Sequence, residues 1–543
     1  MKKTITYLIL FSSVMVAQAQ TPVMIKDINP SGPGVFISDV VVEYNGEIYF
    51  AGLNGTSGNE VWSSDGTASG TQLLKDINPG SPDGNPGGFI VYNNLLYFTI
   101  EDGTNGNELW VTDGTASNTQ MVKNIYPGSG GSNSEFFIVF NGKLFFSAKD
   151  DLNGQELWST DGTTLGTQLV KDIRTGATGS NPASFKVFNN ALYFNADDGI
   201  HGNELWVSDG TAAGTQMVKD IYAGTTSSYP SQFTEFNGKL YFQATDDTYG
   251  SELWVTDGTT LGTTLVKDIN PGQYYADPEG FTVYDGRIYF SAYTLEAGYE
   301  LWVSDGTSSG TQMVKDIASG PADGLQLPAM LKVYNNRLYF GAADGTHGTE
   351  LWSTDGTTLG TTMVNDFNPG SGGSFRGSFA VYDGALYFVA YDGDNGVQLC
   401  SYNSITGNQS LIAPSIFQPN ACLVNSNYSS LSLALGSLIY PAAYQAGNTE
   451  LYKITSTSVG VSQLSAANDF SVYPNPASNV IHIELTRTSG PALIQIYNLQ
   501  GALLFETSGS NKVDIETAKI PSGMYLVKVS DKNYSASRIV VKE

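Results

Sequence analysis

The sequence predicts an all-β protein: a β-propeller of about eight or nine four-stranded blades, followed by a small immunoglobulin-like β-sandwich. Three observations predict it. A motif close to ELWxxDGTxxGT recurs about every 48 residues along most of the chain, and self-similarity at a fixed period marks a repeat architecture. Each period holds four short runs rich in Tyr, Phe, Val, Ile and Thr, side chains that suit a half-buried pleated surface. The runs are joined by Asn-Gly, Asn-Asn and Asp-Gly, pairs that tolerate the positive φ of tight hairpins.

The second period shows the parse. Residues 88–92, 95–99, 108–112 and 120–125 read as four strands, with Asn93-Asn94 and Asp113-Gly114 as turns. Four antiparallel strands in 40–50 residues, repeated radially, make a propeller blade; a solenoid of stacked hairpins is the competing architecture. The tryptophan of the motif falls at Trp62, Trp110, Trp158, Trp206, Trp254, Trp302 and Trp352, all seven in the chain. Cys400 and Tyr452 take its place in an eighth and a ninth copy. The ninth copy has three strands, and Met24–Ile28 reads as a fourth strand with no first. Joining the two would close a ring and remove its open edges.

Residues shared by the copies are expected to build the scaffold. The tryptophans fill the wedge between adjacent sheets. Asp65, Asp113, Asp161, Asp209, Asp257, Asp305 and Asp355 precede Gly-Thr and suit turns in which the carboxylate accepts backbone N–H two residues on. A glutamate two positions before each tryptophan, Glu60 to Glu350, is expected to pair with the fourth-strand lysine of its own sheet, Lys75 in the first copy.

Binding is sought where the copies differ. The first–second and third–fourth turns are short and stereotyped. The fourth–first connections, such as GSPDGNPGG and GQYYADPEG, vary, and they share an end of the fold with the second–third loops. Loops on a rigid scaffold are where binding residues collect. Candidate ligand-binding residues there are Tyr222, Tyr229, Tyr249, Tyr274, Tyr275, His201 and His347, since exposed aromatics stack on sugar rings or bury in a protein partner. Asp102, Asp150, Asp198, Asp246, Asp344 and Asp392 recur in the second–third loops. They are candidate calcium ligands, calcium being an oxygen-seeking ion, although a lone Asp per loop equally caps a turn and no EF-hand spacing is present. A Gly follows each four positions later.

No catalytic residue is identified. The chain has three histidines, and no HExxH, P-loop or nucleophile elbow occurs. Acids repeated in every copy give no privileged pair for a glycosidase. The formal net charge of −26 argues against nucleic acid and anionic membranes as direct partners, because both would be repelled. It leaves cations, basic partners and neutral glycans. Lys2 and Lys3, the apolar run from Ile5 to Val16 and Ala17-Gln18-Ala19 read as a secretory signal peptide over residues 1–19. No later run is long and apolar enough to span a bilayer. Cys400 and Cys422 are either a disulfide or two small buried apolar groups.

The repeat region, residues 20–456, is followed by a linker at 457–469 and a different pattern over 470–543. There YPNPA at 473–477, IYNLQG at 496–501, IPSGMYLVKV at 520–529 and the terminal SRIVVKE resemble the type A sorting domain of the type IX secretion system. That resemblance implies a Bacteroidota-type cell, export to the periplasm, translocation across the outer membrane through the type IX machinery, and release or surface attachment. The upstream copies resemble the ELWxxDGTxxGT repeat family of exported bacterial proteins, which implies no activity. The expectation is a secreted or surface binding protein for a glycan or a protein. A polysaccharide-active enzyme and a structural surface component are the alternatives.

Overall fold

The computed structural model describes residues 22–36, 41–325, 327–391, 397–404, 407–411, 431–445, 448–455, 470–473, 480–485, 492–498, 503–516, 523–530 and 535–542. The expected signal peptide and linker, with Asp392 and Cys422, lie outside the described residues. The chain divides into two units, residues 1–455 and 456–543.

In the larger unit the described strands form nine antiparallel sheets of four. The second consists of Gly87–Tyr92, Leu95–Glu101, Asn107–Thr112 and Gln120–Lys123, paired in that order. The local chemistry explains the hairpins: Asn141 and Gly142 have φ of 47° and 71°, the left-handed pair that matches strand twist. The ninth sheet holds Ser432–Ala434, Ser437–Gln445 and Asn448–Thr455. The strand Val23–Met24 completes it, with Val23 opposite Lys453 and Met24 opposite Tyr452.

Successive sheets pack face to face. Phe140, Phe145, Leu157 and Ile173 of the third sheet share a core with Leu192, Phe194, Ala196 and Trp206 of the fourth. The ninth sheet packs on the first through Ala434, Ile439 and Leu451 against Ile48, Phe50 and Trp62. This closure gives a propeller-like arrangement and removes the linear stack, whose end sheets would lie apart. The first strands of neighbouring sheets adjoin one another and so lie innermost.

The lysines do not pair with the glutamates of their own sheets. Lys171 Nζ instead reaches the next sheet, donating to the Thr215 carbonyl at 2.5 Å and lying 5.8 Å from the centre of the Trp206 ring. Lys26 makes the corresponding bond to Thr71 at 2.7 Å across the closure. The reason is desolvation: each glutamate is buried where backbone donors surround it, and the lysine stem is long enough to put its charge at the rim. Tyrosine hydroxyls add further links, as where Tyr92 donates to the Gly142 carbonyl of the following sheet at 2.8 Å. The motif aspartates do form the expected turns. Asp161 accepts from the Thr163 N–H at 2.9 Å and its hydroxyl at 2.7 Å.

The smaller unit has two sheets. One holds Phe470–Tyr473, Val480–Leu485 and Lys512–Glu516; the other holds Leu503–Gly509, Ala492–Asn498, Gly523–Ser530 and Ser535–Lys542. Ile481, Ile483, Ile494, Ile496, Ile515, Val527 and Val529 alternate along the strands and form one buried core, the pattern of a two-layer sandwich.

Candidate functional site

The variable connections are fastened to the scaffold by buried carboxylates. Glu156 is fully buried. It accepts from Ile173 N at 3.1 Å, Arg174 N at 3.0 Å, Ser180 N at 2.9 Å and Ser180 Oγ at 2.5 Å. One side chain thus fixes both ends of the connection from the third sheet to the fourth. A carboxylate suits this position because its two oxygens accept several bonds, where an amide offers one acceptor oxygen. Burial pushes Glu60, Glu156, Glu204 and Glu300 up to about 7 and Glu252 to about 8.

Between the fifth and sixth sheets this arrangement frames a pocket of about 340 Å³ lined by Asn270, Gln273, Tyr274, Tyr275, Asp277, Tyr293 and Tyr299. Tyr293 and Tyr299 flank the second–third loop of the sixth sheet. Their rings lie 5.1 Å apart, tilted by 54°. Tyr274 and Tyr275 project from the connection, each more than half exposed. Glu252 accepts from Ile269 N at 2.9 Å and Asn270 N at 3.0 Å, so the start of the pocket-lining connection hangs on this carboxylate. Asn270 Nδ2 donates to the Tyr275 carbonyl at 3.1 Å, and Gln243 Nε2 to Asp277 Oδ1 at 3.2 Å. Gly250, at φ +74°, lets the connection pass close by; a Cβ there would meet the Tyr274 carbonyl oxygen at 2.5 Å. Burial raises the Tyr299 hydroxyl to about 12, with Asp277, Glu279 and Asp323 adding negative charge.

Of the expected ligand residues, the structure brings together Tyr274 and Tyr275. Tyr249 lies on a neighbouring loop, whose Asp247 carbonyl accepts from Gln273 Nε2 at 2.6 Å. Tyr222 and Tyr229 belong to the preceding connection, and Tyr222 N donates to Glu204 at 3.3 Å. His201 and His347 occupy equivalent loops of the fourth and seventh sheets, each with Nδ1 2.8 Å from its own loop aspartate. Sequence reasoning missed Tyr293, Tyr299, Asn270, Gln273 and Asp277. The available signal was internal comparison: where the sixth copy has Tyr299, others carry Asn107, Gln155, Asn203 or Thr349.

The loop aspartates are spread over separate sheets, each engaged in its own turn. Asp102 Oδ1 accepts from Thr104 N at 2.9 Å and Asn105 N at 2.6 Å, and Oδ2 from Asn105 Nδ2 at 2.7 Å. Asp150, Asp198, Asp246 and Asp344 accept the same pair of backbone bonds. Among the described residues no three His, Cys, Asp or Glu are grouped to hold a metal ion.

Replacing Glu252 with Ala is expected to destabilise the chain by about 2 kcal/mol, since two buried N–H groups lose their acceptor. It is also expected to loosen the pocket, read as faster hydrogen exchange across 269–277. Unchanged exchange there would show that the carboxylate does not hold the connection.

The profile of the secretion system C-terminal sorting domain matches residues 471–543. This module directs the chain to the type IX secretion machinery, and hence to export with release or attachment at the outer surface. Among the described residues no helix is long and apolar enough to cross a membrane. No curated protein matches the chain. Solved structures similar to it include a prolyl endopeptidase, with 12% identity, TM-score 0.37, and 68% of this chain and 55% of that one covered. A puromycin-hydrolysing peptidase of Mycobacterium tuberculosis gives 11%, 0.36, 66% and 58%. The extracellular domain of a putative one-component system from B. thetaiotaomicron gives 11%, 0.24, 93% and 86%. The chain spans less than two thirds of either peptidase, and these distant likenesses assign no chemistry to it.

Proposed function

We propose that this is an exported, non-catalytic binding protein, a nine-bladed propeller with an immunoglobulin-like sorting module, which engages a glycan through its variable-loop end. The observation that carries the reading is the four-tyrosine pocket. It stands where one copy departs from the others, on connections pinned to an otherwise uniform scaffold. Aromatic faces with a few fixed polar groups are the lining that ring-shaped ligands require. The sorting tail supports an extracellular setting. The test is a glycan array probed with the full chain, followed by product analysis on every hit. Binding that is lost in a Tyr274→Ala/Tyr293→Ala double variant, with no turnover, is expected. Cleavage of a hit would make the protein a polysaccharide-active enzyme, and an empty array would remove the glycan reading.

The loop aspartates are oxygen ligands of the kind calcium takes, but the turn caps already employ them as acceptors. The expected thermal midpoint is therefore the same with calcium as with chelator. A rise of several degrees with calcium would return Asp102, Asp150, Asp198, Asp246 and Asp344 to the metal reading.

A further inference from the structure

We infer that the tyrosine pocket between the fifth and sixth sheets selects a ligand bearing an organic ammonium group, such as an amino sugar or a quaternary ammonium compound. This rests on the loop end being the binding end, and it narrows the ligand class. The lining is four phenol rings, two amides and one carboxylate, with no lysine, arginine or histidine. An anionic sugar would find no cation to receive it. Four tyrosines line one small cavity, and the negative quadrupole over an aromatic face is what attracts an alkylated ammonium. Asp277 lines the cavity. Asp323 is close by, its Oδ1 accepting from the backbone N–H of the lining residue Tyr299 at 3.0 Å.

The charges around Tyr299 agree with this. Burial is the main reason its hydroxyl pKa is raised, and Asp277, Glu279 and Asp323 each raise it further, so three carboxylates stand close enough to act on a charge at this ring. Neutral sugars also stack on tyrosine and can donate hydroxyl hydrogen bonds to a carboxylate, but only a cation gains the Coulombic attraction of all three. A volume of about 340 Å³ is enough to seat one small ring or one headgroup. The pair occurs in one copy: the equivalents of Tyr293 in the fourth and fifth copies are Asp197 and Thr245, those of Tyr299 are Asn203 and Ser251, and the eighth copy has Tyr391 at the first position but Val397 at the second.

The experiment is calorimetric titration of the full chain with choline, tetramethylammonium, glucosamine, glucose and glucuronate, at a pH where the amine is protonated. Glucosamine is expected to bind at least ten-fold more tightly than glucose, and glucuronate not at all. Choline set against glucosamine separates a headgroup from a sugar as the source of the ammonium. Tyr299→Phe should retain binding, because the ring face and not the hydroxyl makes the contact. Asp277→Asn should weaken ammonium ligands several-fold and reduce their salt dependence while leaving glucose unchanged. Each variant is checked for an unchanged thermal midpoint. Equal affinity for glucose and glucosamine, or ammonium binding indifferent to Asp277→Asn, overturns the inference. Array hits without ammonium preference would leave glycan binding standing; ammonium binding with an empty array would do the reverse.

Discussion

The thermal midpoint of the larger unit is expected to fall by several degrees as pH rises from about 5 to 8. Burial raises the carboxyl pKa of Glu60, Glu156, Glu204, Glu300 and Glu450 to about 7, that of Glu252 to about 8, and those of Glu108 and Glu350 upward as well. A carboxyl raised on folding means that the folded chain holds more protons than the unfolded one between its ordinary pKa near 4.5 and the raised value. Stability then declines as pH rises through that window. A tenfold change in one carboxyl's proton affinity on folding is worth about 1.4 kcal/mol, so even a smaller change at each of these sites sums to a large part of a domain's stability. The turn aspartates act in the opposite sense. Hydrogen bonds from Thr163 and its equivalents hold Asp161, Asp209 and Asp257 below their ordinary value, a contribution lost as pH falls below about 4. The two trends place the optimum on the acid side of neutrality. Differential scanning calorimetry between pH 5 and 9 reads the slope, and a midpoint that is flat or rising over that range would refute it.

The same carboxylates show where sequence reasoning stopped. The strands, the hairpin turns and the Asp-Gly-Thr caps were legible because their causes are local: positive-φ pairs, alternating apolar residues and a carboxylate two residues from its donor. The closing role of the N-terminal strand was legible from strand counting. The partners of Glu156 and Lys171 were not, because both reach across a connection or into the next sheet, and a sequence read one sheet at a time pairs them with each other. The site divides the same way. Tyr274 and Tyr275 stand in a loop whose length and composition mark it as variable. Tyr293 and Tyr299 sit at strand positions, and only the crossing of the 270–277 connection decides that they face a cavity.

Trp206→Ala is expected to cost about 3–5 kcal/mol, read as a fall in the urea midpoint with a nearly unchanged slope. The ring packs against Phe140, Phe145 and Leu157 of the preceding sheet, so the cavity opens at the joint between two sheets rather than within one. Lys171 Nζ lies over the same ring while bonding the Thr215 carbonyl, and the truncation therefore removes both the filler and the surface beneath the charge. Lys171→Met separates these. It keeps most of the stem, removes the cation, and should cost about 1 kcal/mol. The chain supplies its own comparison, since Cys400 and Tyr452 take the tryptophan position in the eighth and ninth sheets, and both are buried. The wedge thus tolerates other apolar groups where neighbouring side chains differ, and Trp206→Phe should recover part of the loss. In a closed ring a weakened joint is held from its other side by the remaining sheets. The unfolding transition should therefore shift without splitting, whereas an added early transition limited to the third and fourth sheets would show that each joint stands alone.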